Sequence, residues 1–573
     1  MFKPNPSAVR TIPRSFRSSQ FLHPRRTLHN QTQRADRTNG QKITAAFAGT
    51  LVGIAAYQML GMRKDIHAEA PRLAPEEKMT KINLQHIQVQ SSLENPGVYA
   101  WGDNSGKVIA PDSKEKVIKT PRRLHFFDGT LLRDLQLSHN AGVAVNDKGD
   151  ILQWGTGYSA GIKVPETTLK GKNIERVVLT KDKIIALSKD KTIYSLPISK
   201  QYQQEGFKPT ESSWIPGLSS TSEISYRILK PDLSYLEKVT DIAAGRDHLL
   251  VLTSRGRVFS SASAFQYPDR GQMGIPGLTY NTRPAGKPYD ILQEITALKD
   301  HKISQIAAGD YHSVVLSTQG KIFTFGDNVH GQLGFEYNPD TNIIDVPTPL
   351  SLSHLYPTTP AAVTSVAAGG SNTYFTVDSS SGTHDVLSCG TGIHGNLGNG
   401  RWTHVQGPPS RIKALSGLQE FNEATQKMQP IHLHTLSVGG THVAAVMGNN
   451  TSTSTSGSYG TDVLWWGNNE FYQLGTGKRN NSNVPVYIQP LDGAPAELAD
   501  GTGITGSSSR VEPGRVSGII GGVGNEDSGR AVTGNDQVHR FQLTPEGNVK
   551  GKGKAVQTVI CGRGNTAVFM RKL

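Results

Sequence analysis

Ile306-Ala307-Ala308-Gly309-Asp310-Tyr311-His312-Ser313-Val314-Val315-Leu316, followed by Phe323-Thr324-Phe325-Gly326-Asp327-Asn328 and by Gly331-Gln332-Leu333-Gly334, is one unit of a phrase that this 573-residue chain repeats. The opening half returns at Ile242-Ala243-Ala244-Gly245-Arg246-Asp247-His248, at Val366-Ala367-Ala368-Gly369 with Asn372, and at Leu436-Ser437-Val438-Gly439 with His442. The closing half returns at Val98-Tyr99-Ala100-Trp101-Gly102, at Leu387-Ser388-Cys389-Gly390 and at Leu464-Trp465-Trp466-Gly467. A repeat of this size decides the fold before any local reading does. Within the unit, β-branched and aromatic runs flank Ser317-Thr318-Gln319-Gly320, a hairpin turn whose glycine can take positive φ. Strand pairs repeated around an axis give a propeller, and a closed ring leaves no long sheet edge unpaired.

Two worn copies extend the series, Leu135 to Gly155 and Val177 to Ser195, and both lack the glycine and histidine of the opening half. The last copy, Val559 to Met570, stops where a tryptophan-glycine half should begin, and the fragment Val98 to Gly106 lacks an opening half. Joined, the two ends make one blade. The alanine-alanine-glycine, histidine, tryptophan-glycine and glycine-glutamine-leucine-glycine landmarks resemble the regulator-of-chromosome-condensation repeat. That resemblance spans roughly residues 95 to 573 and implies an all-β, seven-bladed β-propeller closed by the two chain ends. His248, His312 and His442 recur at equivalent positions with no single convergent site, so hydrogen bonding between blades is their expected role.

Upstream of the repeats, residues 1–42 carry nine Lys and Arg against Asp36 alone, the composition of a mitochondrial presequence. This segment holds +8 of the formal net charge of +13, leaving +5 for the remaining 531 residues, so the basic balance is poor support for nucleic-acid binding. Residues 43–61 are uncharged and, at the helical rise of about 1.5 Å per residue, long enough for one transmembrane helix. Residues 62–95 read as a linker and 96–573 as the propeller, with insertions near 197–238, 449–460 and 492–555. The stretch 266–300, rich in proline, reads as an ordered loop on one rim.

Chemistry is sparse. Gly390-Thr391-Gly392-Ile393-His394-Gly395 matches a dinucleotide fingerprint only as a string, because it lies inside a repeat with no crossover helix after it. Cys389 and Cys561 stand in different repeats without a Cys-x-x-Cys partner, and His432 with His434 is too small a set for a metal centre. The expectation is a binding surface without catalytic residue, cofactor or metal, so no enzyme and no small-molecule substrate. Rim candidates are Arg246, Asp247, Asp310, Tyr311, Tyr267, Arg270, Arg401 and Trp402.

Presequence, single span and divergent repeats together resemble the fungal mitochondrial inner-membrane members of this repeat family. That resemblance implies a tethered interaction scaffold, an assembly factor for respiratory chain complex III whose partners are respiratory-chain subunits or other assembly factors. Two alternatives stand beside it: guanine-nucleotide exchange on a mitochondrial GTPase, and association with RNA or the mitoribosome. With the more basic presequence side in the matrix, the propeller would face the intermembrane space; the opposite topology would place it in the matrix.

Overall fold

The computed structural model describes residues 88–212, 219–359, 361–422, 425–448, 460–491 and 540–573. The expected presequence, span and most of the linker, with residues 449–459 and 492–539 of the expected insertions, lie outside the described residues; the remainder of the expected insertion 492–555 is a correction, because Gln542–Leu543, Gly547–Val549 and the start of Gly553–Cys561 are strands paired into the sheets. Among the described residues no helix is long and apolar enough to cross a membrane.

The fold is an all-β propeller. The repeat quoted first becomes a four-stranded antiparallel sheet of Ile303–Ala308, His312–Ser317, Ile322–Asp327 and Ile343–Leu350. Three further sheets have the same order, with innermost strands Ile174–Leu179, Val239–Ala244 and Ala361–Gly369. The sheet that begins at Leu433–Val438 adds Gln542–Leu543 as a fifth strand. A nine-stranded sheet joins the chain ends: Val98–Asp103 pairs with Asn565–Lys572, with Tyr99 opposite Val568 and Trp101 opposite Thr566, as the two half-repeats required. The worn copy beginning at Leu132–Leu137 attaches to this closing group only through the parallel pair Leu132 with Arg571.

The second strand, in His248–Thr253, His312–Ser317 and His442–Met447, is buried at every position. It has a neighbouring sheet on both faces, which is why its sequence is a continuous apolar run instead of an alternation. Apolar clusters therefore form between blades. One combines Leu250, Val258, Val315 and Phe325; the next takes Val314, Phe375 and Leu387. The closing cluster is aromatic, with Trp101 and Trp465 edge to face at 6.3 Å and Trp154 and Phe569 buried beside them. Gly326, at φ +113°, is the penultimate residue of the third strand, where a Cβ would come within 2.6 Å of the Tyr311 carbonyl oxygen.

Strand direction sorts the loops onto two faces. The turn from first to second strand and the loop from third to fourth lie on what is here termed the upper face. The turn from second to third strand and the connectors between blades lie on the lower face. Cross-blade bonds confirm the grouping below: Ile174 N–H donates to Gly149 O at 2.9 Å and Ile303 N–H to Gly256 O at 3.0 Å.

Candidate partner-binding face

The repeated histidines are joints between blades. His248 Nε2 meets Ser313 Oγ at 3.0 Å, His312 Nε2 meets Thr373 Oγ1 at 2.8 Å, and His442 Nε2 meets Thr566 Oγ1 at 2.7 Å. Each hydroxyl in turn donates to the carbonyl of Gln272, Gln332 or Gln473 in the glycine-glutamine-leucine-glycine loop or its counterpart. Because the hydroxyl proton is committed, Nε2 carries the ring proton and donates, leaving Nδ1 unprotonated. Burial pushes the imidazoles of His312 and His442 down to about 3, so both stay neutral at physiological pH. Asn565 makes the equivalent reach to Ser138 O at 2.8 Å. Asn372 departs from the pattern, bonding Thr391 O at 2.6 Å within its own blade.

Above these joints backbone bonds link several neighbouring first turns around the channel mouth. Lys181 N–H donates to Arg246 O at 2.8 Å, Arg246 N–H to Asp310 O at 3.0 Å, Asp310 N–H to Gly370 O at 2.7 Å, and Gly440 N–H to Gly562 O at 3.1 Å. Small residues of the innermost strands enclose a channel cavity of about 310 Å³. Arg563, from the closing blade, spans this mouth to Asp310 with two charge-assisted bonds, one of them 2.9 Å. Deeper in the wall, burial pushes the Asp134 carboxyl up to about 6 even though it accepts the Val177 and Leu135 N–H groups.

The eight rim candidates do not form one site. Asp247 is a correction: it is buried, 4 % exposed, and accepts from Gln272 Nε2 at 3.0 Å, because the loop bearing Gln272 folds back over the turn. Asp310 is committed to Arg563, which sequence reasoning missed although it occupies the corresponding turn of the last repeat. Arg270 and Tyr311 do come together, the guanidinium 4.3 Å above the ring and also 2.9 Å from Asp327. Tyr267 lies edge to face with Tyr280 at 6.0 Å, and Arg283 sits 4.3 Å over the Tyr280 ring. Arg401 and Trp402 are exposed and belong to a separate group, where Trp402 shares an open cleft with His394, Glu470 and Arg479.

The loop that carries Tyr267 and Tyr280 is ordered by a second feature absent from the sequence reading. Lys183, nearly buried, reaches Asp290 Oδ2 at 3.2 Å and lies 4.7 Å over the Tyr289 ring, while Arg227 holds the other Asp290 oxygen. This clamp secures residues 263–292 over the preceding blade. It leaves the edge-to-face pair Tyr202 and Phe265, centroids 5.5 Å apart, more than half exposed.

A cluster of Asp378, His384 and His432 gathers possible metal ligands on the lower face. The hydrogen bonds account for it otherwise. His384 Nε2 accepts the Leu433 N–H at 2.9 Å, so Nδ1 bears the proton and donates to Asp378 at 2.6 Å, leaving the ring no free lone pair. Burial pushes the thiols of Cys389 and Cys561 up to about 12, which removes nucleophilic thiolate from neutral pH.

A ring of sheets with these landmark loops defines a propeller of regulator-of-chromosome-condensation repeats. The Regulator of chromosome condensation (RCC1) repeat matches residues 303–332, and again 319–375 and 462–499, so the chain carries repeats of that family. Among known proteins it is similar to "Protein FMP25, mitochondrial" of Saccharomyces cerevisiae, 24% identical over 70% of this chain and 68% of that one. It also resembles human probable E3 ubiquitin-protein ligase HERC6, 26% identical over 43% of this chain and only 23% of that protein. Of solved structures, human WBSCR16 superposes with a TM-score of 0.52 at 18% identity, covering 83% of this chain and 99% of that one. Prp20p of Saccharomyces cerevisiae gives 0.51 at 16% identity, covering 85% and 95%. These two likenesses show the fold.

Proposed function

We propose that this chain is a mitochondrial protein-interaction scaffold: a seven-bladed propeller tethered to the inner membrane by residues 43–61, acting as an assembly factor for respiratory chain complex III. The observation that carries the interaction role is the clamped upper-face loop, because Lys183 and Asp290 hold Phe265, Tyr267 and Tyr280 as a rigid aromatic platform beside Tyr202. Exposed aromatic groups of low conformational freedom are the usual anchors of protein contacts. The mitochondrial location draws on the acid-poor N-terminus and on the likeness to the mitochondrial yeast protein. Complex III enters through the resemblance to fungal inner-membrane members of the repeat family.

Native-gel analysis of mitochondria from a deletion strain tests this reading. Loss of assembled complex III is the expected outcome, restored by the wild-type chain but not by Tyr202→Ala with Tyr280→Ala. Normal amounts of every respiratory complex would reject it. Protease protection in mitochondria and mitoplasts would decide between an intermembrane-space and a matrix propeller.

A second reading, guanine-nucleotide exchange on a small GTPase, draws on the fold shared with Prp20p, whose structure is described with its binding properties to Gsp1p and histones. Accelerated nucleotide release from a mitochondrial GTPase by the purified chain would establish it.

A further inference from the structure

Exposed cations gather on the lower face. On the lower face, the second-strand turns of four blades bring up Lys148, Lys189, Arg255 and Lys321, and the connectors add Lys238 and Lys302. All six are exposed, and none has a carboxylate within ion-pair reach among the described residues. Asp147, Asp190, Asp232 and Asp300 share this face, which also holds the ion pairs of Lys191 with Glu175, Arg257 with Glu237 and Lys572 with Asp147.

In the midst of these cations stands a protruding apolar tip. Tyr235 and Leu236 are 84 % and 77 % exposed, and Leu236 is held at φ +63°, a conformation unfavourable for a branched side chain. The surroundings impose it. Ser234 N–H donates to Glu237 Oε2 at 2.9 Å, Arg257 holds the same buried carboxylate at 2.9 Å, and Arg255 donates to Tyr235 O at 3.0 Å. A strained, pinned turn that pushes an aromatic and an aliphatic side chain into solvent buries nothing within this molecule.

The chain leading to the propeller also arrives on this face. Leu93, in the helical segment 88–94, lies against the lower-face residues Leu131, Val549 and Met570. Upstream lies the uncharged stretch 43–61.

We propose that the lower face docks on an anionic lipid bilayer, with Tyr235 and Leu236 entering the headgroup region and the surrounding lysines lying over the lipid phosphates. Basic residues around an exposed apolar tip are the composition of a peripheral membrane contact, in which charge attracts and apolar insertion retains. A nucleic acid would use the same charge but gives no role to an aliphatic tip. The upper face, with its aromatic platform, is then turned away from the membrane toward partners. The inference deepens the tethered-scaffold reading and is separable from it, since carbonate extraction reads the span whereas the experiment below reads the lower face.

The test is sedimentation of the full chain with phosphatidylcholine vesicles, with and without phosphatidylserine, together with quenching by brominated lipid of a Tyr235→Trp variant. Expected are tighter binding to the anionic vesicles, weakening with salt, and quenching at position 235 beyond that of the wild type. Lys189→Glu with Lys321→Glu should lower partitioning by roughly tenfold or more, and Tyr235→Ser with Leu236→Ser by a similar factor. Both pairs are exposed and should leave the thermal transition in place, which a melting curve checks, and all variants retain the N-terminal segment, so differences report the face. Equal partitioning of wild type and variants, or an unquenched position 235, would overturn the proposal. Single-stranded RNA binding lost in the lysine variant, without lipid quenching, would overturn it in favour of nucleic acid.

Discussion

Two joints of the ring solve the same problem with different chemistry. Where the blade of His312 meets the next, a neutral imidazole donates to Thr373, and the bond lies entirely within the repeat's own landmarks. Two blades earlier, in a worn copy, the strand position of His312 is taken by Lys183, as the register of Leu179 with Ile184 against that of Ala308 with Ser313 shows. Lys183 cannot be neutralised by a hydroxyl; it reaches across to Asp290 in the inserted loop of the following blade. A repeat that looks degraded as a string is therefore a different joint in three dimensions. The exchange adds a charged tie between a long upper-face loop and the preceding blade, beside the bond that Ser313 of the His248 joint makes to Gln272 O in the same loop.

Opening the ring removes both kinds of joint and is the largest expected effect. Deleting residues 556–573 takes away the strand that pairs with Val98–Asp103, so cooperative unfolding should vanish; an unchanged melting transition would contradict closure by the chain ends. Next, Asp290→Ala should destabilise by about 3–5 kcal/mol, because it strands the buried Lys183 ammonium. Lys183→Met with Asp290→Leu should recover most of that loss, with denaturant midpoints as the measure. Full stability in Asp290→Ala would show that the lysine joint carries no load.

Acid should separate the joints. His312 and His442 titrate near 3 when folded and near 6.5 when unfolded, so the unfolded chain binds protons that the folded one refuses. Stability is then fully present above about pH 6.5 and falls as the pH drops toward 3, by about 2 kcal/mol for each histidine between pH 7 and 5. Asp134 works in the opposite sense, its raised carboxyl returning about 1 kcal/mol over the same interval. His312→Asn with His442→Asn should flatten the acid slope measured by urea unfolding; asparagine is the residue found at positions 372 and 565.

At neutral pH, His312→Ala should cost about 2 kcal/mol through a lost hydrogen bond and a small cavity. The smallest effect is expected for Arg563→Ala, about 1 kcal/mol or less, since that ion pair is partly exposed to the channel mouth. A larger loss there would mean that the cross-channel pair, not the blade joints, keeps the ring round.

The repeat phrase in the sequence was enough to determine strand order, turn positions, the sharing of one blade by the two chain ends and the bonding role of the histidines. These depend on contacts within one unit or between identical neighbours, and such contacts are written into the period itself. The candidate site was much less legible. Asp247, Asp310 and Arg270 were correctly assigned to turns and loops, yet their partners Gln272, Arg563 and Asp327 are set by how each loop folds back and by the curvature that brings Asp310 opposite a residue 253 positions away. Whether a charged residue on a turn is a free contact or a satisfied ion pair depends on distances across the ring, and no local pattern encodes those distances. The same holds for the gathering of Lys148, Lys189, Arg255 and Lys321 on the lower face, which exists only once alternating strand directions have sorted the loops to opposite ends.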